Sequence, residues 1–225
     1  MSPSVTASPV FPLGTSYIPG ELVVLRVFEE RYLEMFTPLP ASFVTVLIAQ
    51  GSEVGGNDRR FTYGVKVQML QSAEADHGLM VQGIATRRVR IGQWLPDEPY
   101  PRATIEDLAD VELTQAQCHD AASSVSLLAQ NIRTLHQRIA TQARDEQAVA
   151  PVNPVLATIA AGRWWSTGVG QEEVERAFWA IASQTPCGPI DRYELLQPSS
   201  LLERISRLRA TIEHVTEVLS FQMGY

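Results

Sequence analysis

The residue types that could do chemistry are few, and their spacing excludes the commonest reactions. A phosphate-binding loop needs GxxxxGK[ST], because backbone amides cradle the phosphates and the lysine reaches the outer ones. Lys66 is the only lysine among eighteen basic residues, and it stands between Val65 and Val67. No such loop exists in these 225 residues. The same lysine has no serine-bearing motif around it, so no Ser-Lys dyad can form. His77, His119, His136 and His214 are scattered, and Cys118 and Cys187 make no CxxC pair. His119 follows Cys118 directly, yet neighbours on a helix point about 100° apart. No metal set and no cofactor are therefore expected. Glu29-Glu30 and Glu172-Glu173 sit where helices should start, and a helix N-terminus favours negative charge without any catalytic role. The expectation is a protein that is not an enzyme, with no catalytic residue.

Binding is the chemistry that remains, and five residues are candidates for it: Trp94, Trp164, Trp165, Arg31 and Tyr32. Trp94 lies in Gly92-Gln93-Trp94-Leu95-Pro96, read as a loop. Trp164 and Trp165 precede the Gly168-Val169-Gly170 loop. Adjacent large aromatics cannot both face one helix core, so one is expected inside and the other as an exposed contact. Glu29, Arg31 and Tyr32 could recognise a ligand, or could fix the turn between a strand and a helix by an ion pair and a packed ring. Phe28 and Phe178 are expected in the core. Arg87, Arg88 and Arg90 form a basic cluster on a strand, where alternation sends Arg88 and Arg90 to one face and Arg87 to the other. It is either a solvated face braced by acids or a site for an anion or RNA.

Charge weighs against nucleic acid. The net charge is -7, and the halves on either side of Asp110 are both acidic, whereas nucleic-acid binding needs a basic footprint. Hydrophobic residues make up 45% and charged residues 19%, enough apolar surface for a packed core. No apolar run approaches the ~20 residues of a membrane span. MSPSVTASPV lacks the basic start and apolar core of a signal peptide, and two unpaired cysteines fit a reducing compartment. The expected location is the cytoplasm.

Two periodicities divide the chain. Leu22–Leu25, Phe43–Ile48, Phe61–Leu70 and Leu79–Ile91 are short β-branched or alternating runs. Gly51-Ser52 and Asp76-His77-Gly78 are the turn signals between them, and Ala103–Glu106 follows Pro99-Tyr100-Pro101. Such spacing predicts a small barrel or folded sheet, with one short helix over Glu29–Phe36. From Thr114 to Arg144 there is no Gly or Pro, and Val125, Leu128, Ile132, Leu135 and Ile139 recur at helical spacing. One long helix is expected there. Asn153-Pro154 opens another through Ala161, with Gly162 as its stop. Further helices are expected over Glu172–Gln184, from Asp191 to near Gln197, and from a Ser199 or Ser200 cap to Leu219. The boundary between the halves is expected near 108–115.

The opening PVFPLGTSYIPGELVVLRVFEERY, from Pro9 to Tyr32, resembles the start of the substrate-binding domain of ATP-dependent Lon proteases. Phe61-Thr62-Tyr63-Gly64-Val65, Asp76-His77-Gly78, Arg88-Val89-Arg90-Ile91 and Pro99-Tyr100-Pro101-Arg102-Ala103 follow in that family's order. So do Phe178-Trp179, Leu195-Leu196 and Ser200–Arg204 in the helical half. Val24 and Glu30 stand where prolines are common in the family. The resemblance implies an α+β fold: a PUA-like β-barrel over 1–110, then a C-terminal helical bundle with one long helix over 111–225. Lon proteases continue into ATPase and Ser-Lys protease domains, whose motifs are missing from these residues. The implied role is a non-enzymatic module that binds unfolded or partly folded polypeptides, or a protein partner, in a groove between barrel and bundle. An RNA-binding PUA-like protein and a small-molecule sensor are the alternatives. No membrane partner is expected.

Overall fold

The computed structural model describes residues 7–51, 59–143, 154–162, 164–165 and 168–222. The chain divides into two compact units, Met1–Ala109 and Asp110–Tyr225.

The first unit is built from β1 (Ser8–Leu13), β2 (Leu22–Val27), α1 (Glu30–Met35), β3 (Ser42–Gln50), β4 (Arg59–Ala75), β5 (Gly78–Trp94) and β6 (Arg102–Asp107). Its six strands run in the order β2-β5-β4-β3-β1-β6, and β6 also pairs with β5. The pairings β1–β3–β4–β5–β6 therefore return to β1. Only β1–β3 is parallel; the other pairs are antiparallel. Inside this circuit Val10, Val44, Val46, Val89, Ile91 and Ala103 form a buried cluster, with Trp94 and Ile105 packed against it.

A second set of apolar side chains lies on the opposite faces of these strands. Phe11 stacks on Tyr32 with ring centroids 4.2 Å apart, and Phe36 meets Phe43 edge-on at 5.3 Å. Alternation in β2 buries Val23, Leu25 and Val27. α1 falls where the sequence predicts it, and its Tyr32, Met35 and the following Phe36 are buried.

Close approach requires glycine at Gly64 and at Gly78. At Gly64 a Cβ would collide with the backbone carbonyl of Thr45 on β3, so only glycine lets β3 and β4 sit at this distance. Asp76 and His77 form the tip of the β4–β5 hairpin, with Ala75 opposite Gly78. His77 takes φ 62° and Gly78 φ 151°, and a Cβ on Gly78 would strike the Val27 carbonyl.

β1 is not evident from the sequence, because Pro9 and Pro12 argue against a strand. Of the residues of β1, only Ser8 and Pro9 pair with β6, so Pro12 lies where β1 has a neighbour on one side alone. A backbone position without N–H is tolerated there.

The second unit is helical: α2 (Gln115–Ala143), α3 (Pro154–Ala160), α4 (Gln171–Ala182), α5 (Pro189–Glu194) and α6 (Leu201–Gln222). Thr114 and Gln117 open α2 as a capping box. The Gln117 amide donates to Thr114 Oγ1 at 3.3 Å, and the Thr114 amide donates to Gln117 Oε1 at 2.9 Å. Asn153, expected as the cap of α3, lies outside the described residues; Gly162 ends that helix with φ 66°. Val125, Leu128, Ile132 and Leu135 of α2 bury against an apolar set that includes Val174, Phe178 and Ile181 of α4 and Leu201, Ile205, Leu208 and Ile212 of α6.

A charge lies inside this bundle. Arg204 is 0% exposed. It donates to Asp110 Oδ2 at 2.7 Å and to the Pro198 carbonyl at 2.9 Å. Its guanidinium lies 5.4 Å from the Trp179 ring centroid and 3.9 Å from Glu175. Burial, with Asp110 close by, pushes the Glu175 carboxyl above its ordinary value. The Gln171 side chain donates to Glu175 and to the Val111 carbonyl.

Candidate functional site

Of the five candidate residues, Arg31, Tyr32 and Trp94 belong to the first unit and Trp164 and Trp165 to the second. Arg31 and Tyr32 sit together at the start of α1. Arg31 donates to Glu29 at 3.1 Å and lies 4.4 Å over the Tyr32 ring, while Tyr32 itself is 3% exposed. This is the ion pair and packed ring that the turn needs.

Trp94 is not in a loop. It is the last residue of β5 and pairs with Ala103 of β6. The Arg60 guanidinium stacks 4.9 Å from its ring centroid, and Asp97 holds Arg60 in place through two bonds of 3.1 and 2.6 Å. The ring is thus half-buried, with one face on the core and the other under a cation.

Trp164 and Trp165 touch at 6.4 Å, and both are half-buried. Trp164 donates its indole N–H to Ser126 of α2 at 2.9 Å. Trp165 meets His119 of α2 edge-on at 4.9 Å. Neither is wholly core nor wholly free, which corrects the expected division between them. His136 pairs with the Gln184 carbonyl at 2.7 Å.

The arginine strand is braced by acids. Arg90 meets Glu106 at 2.6 Å and Arg87 meets Asp107 at 3.0 Å. Arg88 departs from the solvated reading: it is 3% exposed. A bulge causes this. Lys66 lies opposite Arg87 and Val67 opposite Ala85, so no residue of β4 stands opposite Thr86, whose hydroxyl donates to the Lys66 carbonyl at 3.0 Å. The extra residue shifts the alternation, so Arg88 lies opposite Val65 on the buried side.

The feature that the sequence does not reveal is on β2. Phe28, expected in the core, is 55% exposed. β2 buries its odd positions, so Leu22, Val24, Arg26 and then Phe28 point outward. Ile84, Gln82 and Met80 of β5 lie opposite Leu22, Val24 and Arg26. Gln68, Gln71 and Ala73 of β4 lie opposite those in turn. Directly opposed residues share a face, so these nine positions form one sheet surface whose single charge is Arg26. Five of the nine are apolar, with Gln68, Gln71 and Gln82 among them, and exposed apolar side chains grouped in this way mark a candidate interaction site. An apolar LVVL run is read equally well as a strand buried on both faces, which is why the sequence conceals it.

In the helical unit, a pocket of about 380 Å³ opens between α2 and α6. It is lined by polar groups such as Asn131, Thr134, Arg138 and Glu213, and by no aromatic ring. Among the described residues no group of three His, Cys, Asp or Glu side chains could hold a metal ion.

The family model of the ATP-dependent protease La (LON) substrate-binding domain matches residues 7–214. The Lon N-terminal domain protein from Xanthomonas campestris shares the fold, with a TM-score of 0.54 at 23% identity, over 92% of this chain and 98% of that one. The N-terminal domain of the Lon protease of the Mycobacterium avium complex does so with a TM-score of 0.53 at 15% identity, again over 92% and 98%. At these identities the likeness is one of fold. No protein of curated function matches the chain.

Proposed function

The chain belongs to the LON substrate-binding domain family, and from that premise we propose that it recognises unfolded polypeptide segments by binding alone. The observation that carries the reading is the exposure of Leu22 and Val24 on a sheet face with one charge, followed directly after β2 by the exposed Phe28. Covering a Leu or Phe side chain contributes roughly 1.5–3 kcal/mol. Ordering a flexible client offsets much of that gain, so affinity is weak and tolerant of sequence. The half-buried Trp94, Trp164 and Trp165 are secondary contacts. Arg31 and Tyr32 shape the turn beside the row.

These residues carry no phosphate loop and no lysine-activated serine, so the module contributes recognition and no turnover. The return of the strand pairings through β6 to β1 supports reading the first unit as a PUA-like barrel. An RNA-binding role draws no support from the arginine strand, since Arg87 and Arg90 are paired with acids and Arg88 is buried.

The test is a salt titration of binding to a reduced, unfolded polypeptide and to single-stranded RNA. It uses wild type, Phe28→Ala, Trp94→Ala, Trp164→Ala and Trp165→Ala. The polypeptide should bind with little salt dependence, and an anchor residue cut to Ala should cost about 2 kcal/mol. RNA binding would weaken steeply as salt rises. Binding of RNA alone, or polypeptide binding unchanged in every variant, would end this reading.

A further inference from the structure

β2 is an edge strand. Among the described residues it pairs with β5 and with no other strand. Half of the backbone N–H and C=O groups of such a strand point away from its one neighbour, ready to pair with another chain. Edge strands are ordinarily protected by a bulge, a proline or several charges. The six residues of β2, LVVLRV, have no proline, their register with β5 is continuous, and Arg26 is their only charge. Arg26 donates to the Asp76 backbone carbonyl at 3.1 Å. That bond ties the guanidinium to the tip of the β4–β5 hairpin without neutralising it.

Building on the polypeptide-binding reading above, we propose that the free edge of β2 takes up an extended apolar segment bearing one acidic residue, as an added strand. Backbone pairing supplies affinity that is indifferent to side chains, and Leu22, Val24 and Phe28 contact alternate residues of the segment. Arg26, the lone charge among the nine face positions, selects an acid opposite or diagonal to it and so sets the register. Charge also decides between occupants. A second copy would bring a net charge of -7 against another -7, which opposes self-association. A client segment brings only the one acid that Arg26 matches.

The test uses the full chain and a fluorescent peptide that alternates valine with threonine and has a single central aspartate, read by anisotropy. Two further forms carry N-methyl groups on alternate residues, one on each of the two complementary sets. Only one set of N–H groups faces β2, so one form should lose binding about tenfold or more and the other should bind like the parent. Replacing the aspartate by lysine should weaken binding to wild type and restore it to Arg26→Glu. Val24→Lys, an exposed change, should lower affinity for the peptide while leaving the urea midpoint unchanged.

Equal behaviour of the two methylated forms, or indifference to the charge swap, overturns the proposal. If the unfolded polypeptide binds wild type and Val24→Lys alike, the edge site fails and the wider reading survives. If neither probe binds wild type, both fail. Concentration-dependent dimerisation that Val24→Lys abolishes, with no peptide bound, gives the edge to a second copy and also overturns the proposal.

Discussion

Two departures from the inside-outside rule, one taken from each unit, teach different things. The strand-rich unit leaves Leu22, Val24 and Phe28 in water, whereas the helical unit takes the Arg204 guanidinium out of it. The costs differ in kind. Exposed apolar surface costs little stability where it stands, and it gains free energy only when something covers it. A buried charge costs several kcal/mol unless its partners are in place. Arg204 has them, in Asp110, the Pro198 carbonyl and the Trp179 face. The first departure is one that function can use; the second is a device for holding structure. Asp110 lies five residues before Gln115, the first residue of α2, and Arg204 lies in α6, so the pair ties the start of the helical unit to its last helix.

Four substitutions would break or sharpen this contrast. The largest effect is expected from Asp110→Ala, which strands the guanidinium. Urea unfolding should show a loss of about 3 kcal/mol or more, with no effect specific to peptide binding. Gly64→Ala comes next. Its methyl group would overlap the Thr45 carbonyl, and overpacking of this kind costs about 1–3 kcal/mol. Phe28→Ala should change unfolding by no more than about 0.5 kcal/mol while weakening polypeptide binding in a titration. A large stability loss in that variant would mean that Phe28 is structural after all. The smallest effect concerns Glu175. Its folded-state pKa is raised, mainly by burial, so protonation favours the folded form. The stabilisation is complete below the unfolded carboxylate value and is lost as pH rises through the raised folded value. Glu175→Gln should flatten that decline in unfolding midpoints measured across the mildly acidic range. An unchanged slope would show that Glu175 does not titrate there.

The helical unit was the more legible half. Spacings of three and four placed Val125, Leu128, Ile132 and Leu135 on one buried face, and the same reasoning placed Phe178 correctly. The strands β3 to β6 could be read from alternation and from the Asp76-His77-Gly78 turn. What failed was whatever depends on neighbours distant in the chain. Phe28 follows an apolar run, and only the pairing order shows that the run lies at an edge. Arg88 sits among arginines, and only the bulge at Thr86 turns it inward. The candidate aromatics were legible as residues but not as surfaces. Trp94 lies beneath Arg60, and Trp164 is tied to Ser126, contacts that no local pattern encodes.

The pairing of β1 has a consequence in time. Val10 lies opposite Val44, and Ser8 opposite Ala103, so this first strand must find partners across nearly the whole unit. The β4–β5 hairpin closes locally at Asp76 and His77. Non-local pairing must overcome loop-closure entropy before its contacts form, which makes it slow. On the ribosome, β1 therefore emerges before its partner strands and is completed last, and Val10, which packs with Ala103, is not fully covered until β6 has been made. Pulse-labelled hydrogen exchange during refolding should accordingly protect the amides of β4 and β5 before that of Val10. The newborn chain passes through a stage in which it is itself an unfolded apolar segment in need of a partner.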